Sequence, residues 1–186
     1  MKITGSEKRT LLTLAGRAIA EKIAPRNHSS PANPDLTEAL ERRCGAFVSL
    51  YVDQKLRGCI GTFSEEEALY KNVKNMAVSA ATDDSRFTSI HPNELPRLEL
   101  EISILTPRQR INDPSEIVIG KHGIYIKLGS NRGTLLPQVA VKQDWTEKEF
   151  LGNCSKYKAG IGWDGWKAAE LYTYEAIVFK SAALSI

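Results

Sequence analysis

A cysteine is the side chain best suited to nucleophilic chemistry at neutral pH, and one of the three in this chain sits in unusual backbone. Cys59 lies in LRGCIGTF, residues 56–63, between Gly58 and Gly61 and two residues after Arg57. A thiol at its ordinary pKa of about 8.5 is only a few per cent thiolate at neutral pH. A nearby cation or aligned main-chain N–H groups would raise that fraction, and in a regular strand Arg57 shares a face with Cys59. Glycines weaken a strand and mark a bend, a bulge or a close backbone approach. Gly58 and Gly61 could therefore leave room for a ligand at the main chain, or form an anion-binding nest. The plainer alternative is a bulge, with Cys59 packed as a small hydrophobe.

Other residues could serve the same chemistry. Of His28, His91 and His122, the last sits in GKHG between two glycines and is best placed as a base, which makes Cys59–His122 a candidate nucleophile and base pair. Asp84 and Arg86 in TDDSRF offer a second proton-transfer group and an anion-binding group, against the plain reading of a helix end followed by a solvated loop. Arg132 and Gln138 in NRGTLLPQVA are further candidate binding residues, otherwise parts of a hairpin. Trp163 and Trp166 could line a groove or simply pack. No two candidate ligands stand at metal-binding spacing.

These residues must be positioned by regular elements, and the pattern supplies them. Residues 6–24 read as a helix with Ser6 as its cap and Leu11, Leu14, Ala15, Ala18, Ile19 and Ile23 on one face. Pro25, Pro31 and Pro34 then impose a loop, and DLTEALERR a short helical turn. GAFVSLYV and LRGCIGTF, joined by DQK, read as a β-hairpin. Ser64 and Glu67 fit a capping box for a helix whose apolar stripe is Leu69, Val73, Met76, Ala77, Ala80 and Ala81. The segment TDDSRFTSIHPNELP reads as loop. LELEISIL alternates cleanly, which predicts a strand with Leu98, Leu100, Ile102 and Ile104 on its single buried face. Strands are expected around 116–119, 123–128 and 134–136, a helix over 146–158, and one final strand in ELYTYEAIVFK. If that strand rejoins the first sheet, residues 107–168 form an inserted smaller lobe, and 1–106 with 169–186 the larger one. The class is α+β, with antiparallel sheets and helices packed on them.

Composition narrows the function classes. With 186 residues, 42% apolar and 25% charged, the chain reads as one globular domain carrying a large insertion. Its 25 basic and 22 acidic residues leave a net charge of +3, and no block of like charge appears, so nucleic-acid binding is the weakest class. Three cysteines without a CxxC pair argue against a disulfide framework and a thiolate zinc site. The opening MKITGSEKRT lacks the apolar core of a signal peptide, and no apolar run approaches the ~18 residues of a membrane span. A reducing cytoplasm is the expected compartment, and no cofactor is implied.

Taken together, these segments are similar to the AMMECR-one domain family. Its hallmark hexamer Leu-Arg-Gly-Cys-Ile-Gly stands complete at 56–61, accompanied by GAFVSL at 45–50, Asp-x-Arg-Phe at 84–87, IGKHGIYI at 119–126, LLPQVA at 135–140 and EFLGNCSKYKAG at 149–160. Ser85 departs from the family's common proline, and the GSN turn at 129–131 is eccentric. The resemblance implies a two-lobed α+β fold, the larger lobe built from both chain ends, with the hexamer facing a cleft between lobes. It implies no established activity. It suggests an association in prokaryotes with Memo-like and radical-SAM proteins. Two readings therefore stand ahead of nucleic-acid binding. One is an enzyme using Cys59, with Arg57 holding an anionic group and His122 or Asp84 moving protons. The other is a binding or adaptor module whose cleft takes a small molecule or a protein segment.

Overall fold

The computed structural model describes residues 2–25 and 36–181; His28, Pro31 and Pro34 lie outside the described residues. The fold is α+β, with two four-stranded antiparallel sheets and helices. The chain divides into two compact units, Met1–Leu105 with Ile177–Ile186, and Thr106–Ala176.

The first unit is a sheet covered on one face by helices. Its strands are β1 (Ala46–Val52), β2 (Lys55–Thr62), β3 (Leu98–Leu105) and β8 (Ala176–Lys180), in the order β2-β1-β3-β8. Asp53 and Gln54 both take positive φ, 49° and 62°, the two-residue turn whose twist suits a tight hairpin. The register then pairs Ser49 with Cys59 and Leu50 with Gly58, and shifts between Leu50 and Tyr51 so that Arg57 is the extra residue of a bulge. Val48, Leu50, Leu98, Leu100, Ile102 and Ile104 turn one face into core. Helices α1 (Gly5–Ile23) and α3 (Leu69–Thr82) cover it with Leu11, Ile19, Leu69, Val73 and Ala77, and the short α2 (Glu38–Glu41) adds Leu40.

Both helix starts differ from expectation. Thr4, not Ser6, caps α1, because Glu7 returns a carboxylate to the Thr4 N–H, whereas Arg9, three residues after Ser6, has no acceptor to return. Ser64 and Glu67 form no box for α3. Ala68 bridges to Arg43, and the Leu69 N–H donates to Arg42, so the chain stays extended until residue 69. Buried Asn72 pins this approach by donating from Nδ2 to the carbonyls of Cys44 and Ser64. Pro92–Arg97, expected as loop, forms a 3-10 turn capped by the His91 side chain. Strand β3 is buried on both faces: Glu101 is 3% exposed and Ser103 1%. Alternation reports polarity, and the buried Glu101 side chain is accommodated there by pairing with Lys180 at 3.1 Å.

The second unit has strands β4 (Gln109–Ile111), β5 (Gly123–Leu128), β6 (Asn131–Leu135) and β7 (Glu170–Tyr174), ordered β4-β7-β5-β6. Helices α4 (Pro137–Gln143) and α5 (Glu147–Asn153), the latter continued by a π-helical turn Cys154–Lys158, help close a core around Phe150, Ile124, Ile126 and Leu171. No strand forms at 116–119, where Pro114–Glu116 make a 3-10 turn capped by Asp113. The single strand expected at the end is two. β7 pairs with β4 and β5 in the second sheet and only β8 joins the first, so the second unit runs to Ala176, past residue 168. Trp163 lies against Gly152, and Trp166 packs on the second core. Among the described residues, no helix is long and apolar enough to cross a membrane.

Candidate functional site

Strand β2 is an edge strand, so one side of its backbone has no strand to pair with. At Cys59 two side chains take that strand's place. Asp84 Oδ2 accepts the Cys59 N–H at 2.8 Å, and Arg86 Nη2 donates to the Cys59 carbonyl at 3.2 Å. The same two side chains are locked to each other: Arg86 Nε donates to Asp84 Oδ1 at 2.9 Å and Nη2 to Oδ2 at 2.7 Å. The turn after α3 sets this geometry, because Asp84 Oδ1 also accepts the Arg86 N–H, and the Phe87 N–H donates to the Asp84 carbonyl.

Asp84 is enclosed while Arg86 is not, with side-chain exposures of 6% and 46%. The guanidinium holds the Asp84 carboxyl down at about 2, with the Cys59 and Arg86 N–H groups assisting against the opposing effect of burial. A carboxylate so acidic, with both oxygens engaged, is a poor proton acceptor near neutrality. Asp84 is therefore a positioning group in this geometry, not the proton-transfer group the sequence suggested. Arg86 still has Nη1, which makes no hydrogen bond among the described residues, and its guanidinium lies 5.4 Å from the Phe87 ring centroid.

The thiol belongs to a polar network on the sheet face away from the helices. Ser49, directly opposite on β1, donates from Oγ to Cys59 Sγ at 3.2 Å. Tyr51 follows on the same face, its hydroxyl pushed up by burial and by the Glu101 charge while a hydrogen bond to Ser49 opposes the shift. Lys180 pairs with Glu101 and stands 5.3 Å from the Tyr51 ring centroid. Cys59 is half-buried, whereas Cys44 and Cys154 are buried. Burial raises the Cys44 thiol and pushes Cys154 up to about 12.

The remaining candidates fall elsewhere. The bulge sends Arg57 to Glu94, which accepts from Nε at 2.7 Å and Nη2 at 3.0 Å, while Nη1 donates to the Thr88 carbonyl. Arg57 is thus spent on an internal bidentate pair, which lowers the Glu94 carboxyl and raises the guanidinium. Gly58 is glycine because a Cβ would land on the Ala80 carbonyl oxygen of α3, and Gly61 because one would enter the Phe47 ring. Neither has positive φ, so the segment makes no anion nest. His122, Arg132 and Gln138 belong to the second unit. There His122 Nδ1 accepts the Val118 N–H at 3.1 Å, Arg132 stands on β6, and Gln138 in the first turn of α4. Among the described residues, no three His, Cys, Asp or Glu side chains converge as a metal site.

The structure thus brings together Cys59, Asp84 and Arg86 and adds Ser49, Tyr51, Glu101 and Lys180, which sequence reasoning missed. Ser49 was accessible in principle: a two-residue turn at Asp53–Gln54, allowing for the bulge, places it opposite Cys59.

The chain has clear relatives. A family model described as AMMECR1 matches residues 12–179. The Methanopyrus kandleri protein MK0488 is 37% identical over 190 residues, covering 96% of this chain and 90% of the relative. The Nanoarchaeum equitans protein NEQ441 is 38% identical over 156 residues, 78% of this chain and 86% of the relative. The crystal structure of the uncharacterised protein PH0010 from Pyrococcus horikoshii superposes with a TM-score of 0.86 at 32% identity, covering 97% of this chain and 94% of that one.

Proposed function

The chain belongs to the AMMECR1 family, and we propose that its Cys59 segment is a ligand site in which the thiol is the reactive group and Arg86 recognises an anionic group beside it. One observation carries the reading: a half-buried sulfur that accepts a hydroxyl hydrogen bond from Ser49, next to a guanidinium that keeps Nη1 for a ligand. A donor on sulfur favours the thiolate, and a charge on Cys59 also interacts with the Arg86 guanidinium. The proton leaves to solvent, since both Asp84 oxygens are engaged.

A second, non-catalytic reading draws support from the same engagement. The Asp84–Arg86 pair serves the strand edge rather than the sulfur, as suits a binding surface. On this reading the site is an adaptor for partner proteins, Memo-like or radical-SAM, and Cys59→Ser retains function.

A charge-selective alkylation tests the first reading. Iodoacetate carries the anion Arg86 would attract, and iodoacetamide is its neutral analogue. Arg86→Gln also removes a charge that favours the thiolate, so it is expected to slow both reagents at Cys59. Iodoacetate should slow about fivefold more than iodoacetamide, the effect of about 1 kcal/mol of lost Coulomb attraction to the anion. Equal slowing of both reagents, or of neither, removes Arg86 as the anion anchor.

A further inference from the structure

The second unit's sheet has two unlike faces. One buries Ile111, Ile124, Ile126, Leu135 and Leu171 against Phe150. On the other, the register lays out two rows: Arg110–Tyr172–Tyr125–Thr134 across four strands, and Glu170–Lys127–Arg132 beside it. Arg108 lies over the Tyr125 ring, 4.4 Å from its centroid, and the Tyr125 and Tyr172 rings meet edge to face at 5.9 Å.

The charges on this face are unbalanced. Among the described residues Glu170 is its one carboxylate, and it accepts from the Tyr172 hydroxyl while pairing with Lys127 at 3.6 Å and Arg110 at 3.9 Å. Arg132, exposed beside Lys127, makes no hydrogen bond or ion pair among the described residues. The near-balanced total charge conceals this cluster, because pairing of β4, β5 and β6 with their neighbours collects cations that lie apart in sequence.

We propose that this face binds single-stranded nucleic acid. Phosphates would lie on Arg110, Lys127 and Arg132, and a base against the half-exposed ring of Tyr172. Strands about 4.8 Å apart spread the cations from β4 to β6 over roughly 14 Å, too wide for one phosphate. The Tyr172 ring, half-exposed beside Arg110 and Lys127, offers stacking that an acidic peptide cannot use.

The test is fluorescence anisotropy of the full-length protein with a fluorescein-labelled uridine decamer. Three phosphate contacts predict a log–log salt slope of about −2, a loss of roughly fifteen- to twentyfold in affinity between 50 and 200 mM salt. Arg110→Ala with Arg132→Ala, both exposed side chains, should reduce the slope to about −0.7. Tyr172→Ala should weaken binding about tenfold at unchanged slope. The proposal is overturned by absence of binding at low salt, by a slope that the double variant leaves unchanged, by an inert Tyr172→Ala, or by polyglutamate displacing the decamer as well as unlabelled polyuridine does.

Discussion

Gly58→Ala is expected to lower the melting temperature by roughly 6–12 °C or to prevent folding altogether. Gly58 pairs with Leu50 on the helix-covered face of the first sheet, and α3 passes close above it. A Cβ there would meet the Ala80 carbonyl oxygen and lie 3.0 Å from its carbonyl carbon, both main-chain atoms inside a helix. Neither can rotate away, so α3 must move off β2 and disturb Val73, Ala77 and Ala80 in the core. Overpacking of this kind costs about 3 kcal/mol or more, and each kcal/mol is about 2–4 °C for a chain of this size. Gly61→Ala is the comparison. Its Cβ would meet the Phe47 side chain at Cγ, so the half-buried ring must swing away about its Cα–Cβ bond while the main chain stays in place, and the expected cost is about 1–2 kcal/mol. Thermal unfolding of both variants, with far-UV circular dichroism to check folding, decides the matter. If Gly58→Ala melts within 2 °C of the parent (about 1 kcal/mol or less), the close approach is wrong and the glycine must be kept for another reason.

The second large effect concerns Asp84. Asp84→Asn replaces a carboxylate that accepts from Cys59 and Arg86 by an amide whose NH₂ must face the guanidinium. A buried hydrogen-bonded charge lost in this way costs about 2–3 kcal/mol, or roughly 5–10 °C. The pH dependence separates this mechanism from simple damage. With a folded pKa near 2 against an ordinary 3.8, the carboxylate contributes stability that is fully present above about pH 4 and lost as pH falls toward 2. That contribution is at most about 2 kcal/mol, reduced by salt because Arg86 is half-exposed. Denaturant unfolding between pH 2 and 5 should show a steeper decline in the parent than in Asp84→Asn. Parallel curves would mean that the native pair does not depress Asp84.

How far the sequence revealed this arrangement depended on the range of the interactions. The hairpin, β3 and the α3 stripe were legible because period-two and helical spacing are local signals and because Asp53–Gln54 is a short turn. Cys59 was recognisable as unusual from its glycines. Their cause was not, since Ala80 and Phe47 meet them only after folding. Arg57 was misread because a one-residue bulge breaks the alternation that placed it beside the thiol, delivering it to Glu94 instead. The Asp84–Arg86 clamp required knowing that β2 lies at an edge, which is a property of the whole sheet. The split of the final strand at Glu175 was invisible for a similar reason: ELYTY and AIVFK alternate alike but pair with different sheets.

The most direct measurement is the site-resolved rate of iodoacetamide labelling in the native full-length protein, read by peptide mass spectrometry. The account predicts that Cys59 is modified at least about ten times faster than Cys44 and Cys154, whose buried thiols are held protonated, with the difference vanishing in denaturant. Labelling of Cys59 as slow as that of Cys154 in the folded protein would contradict it.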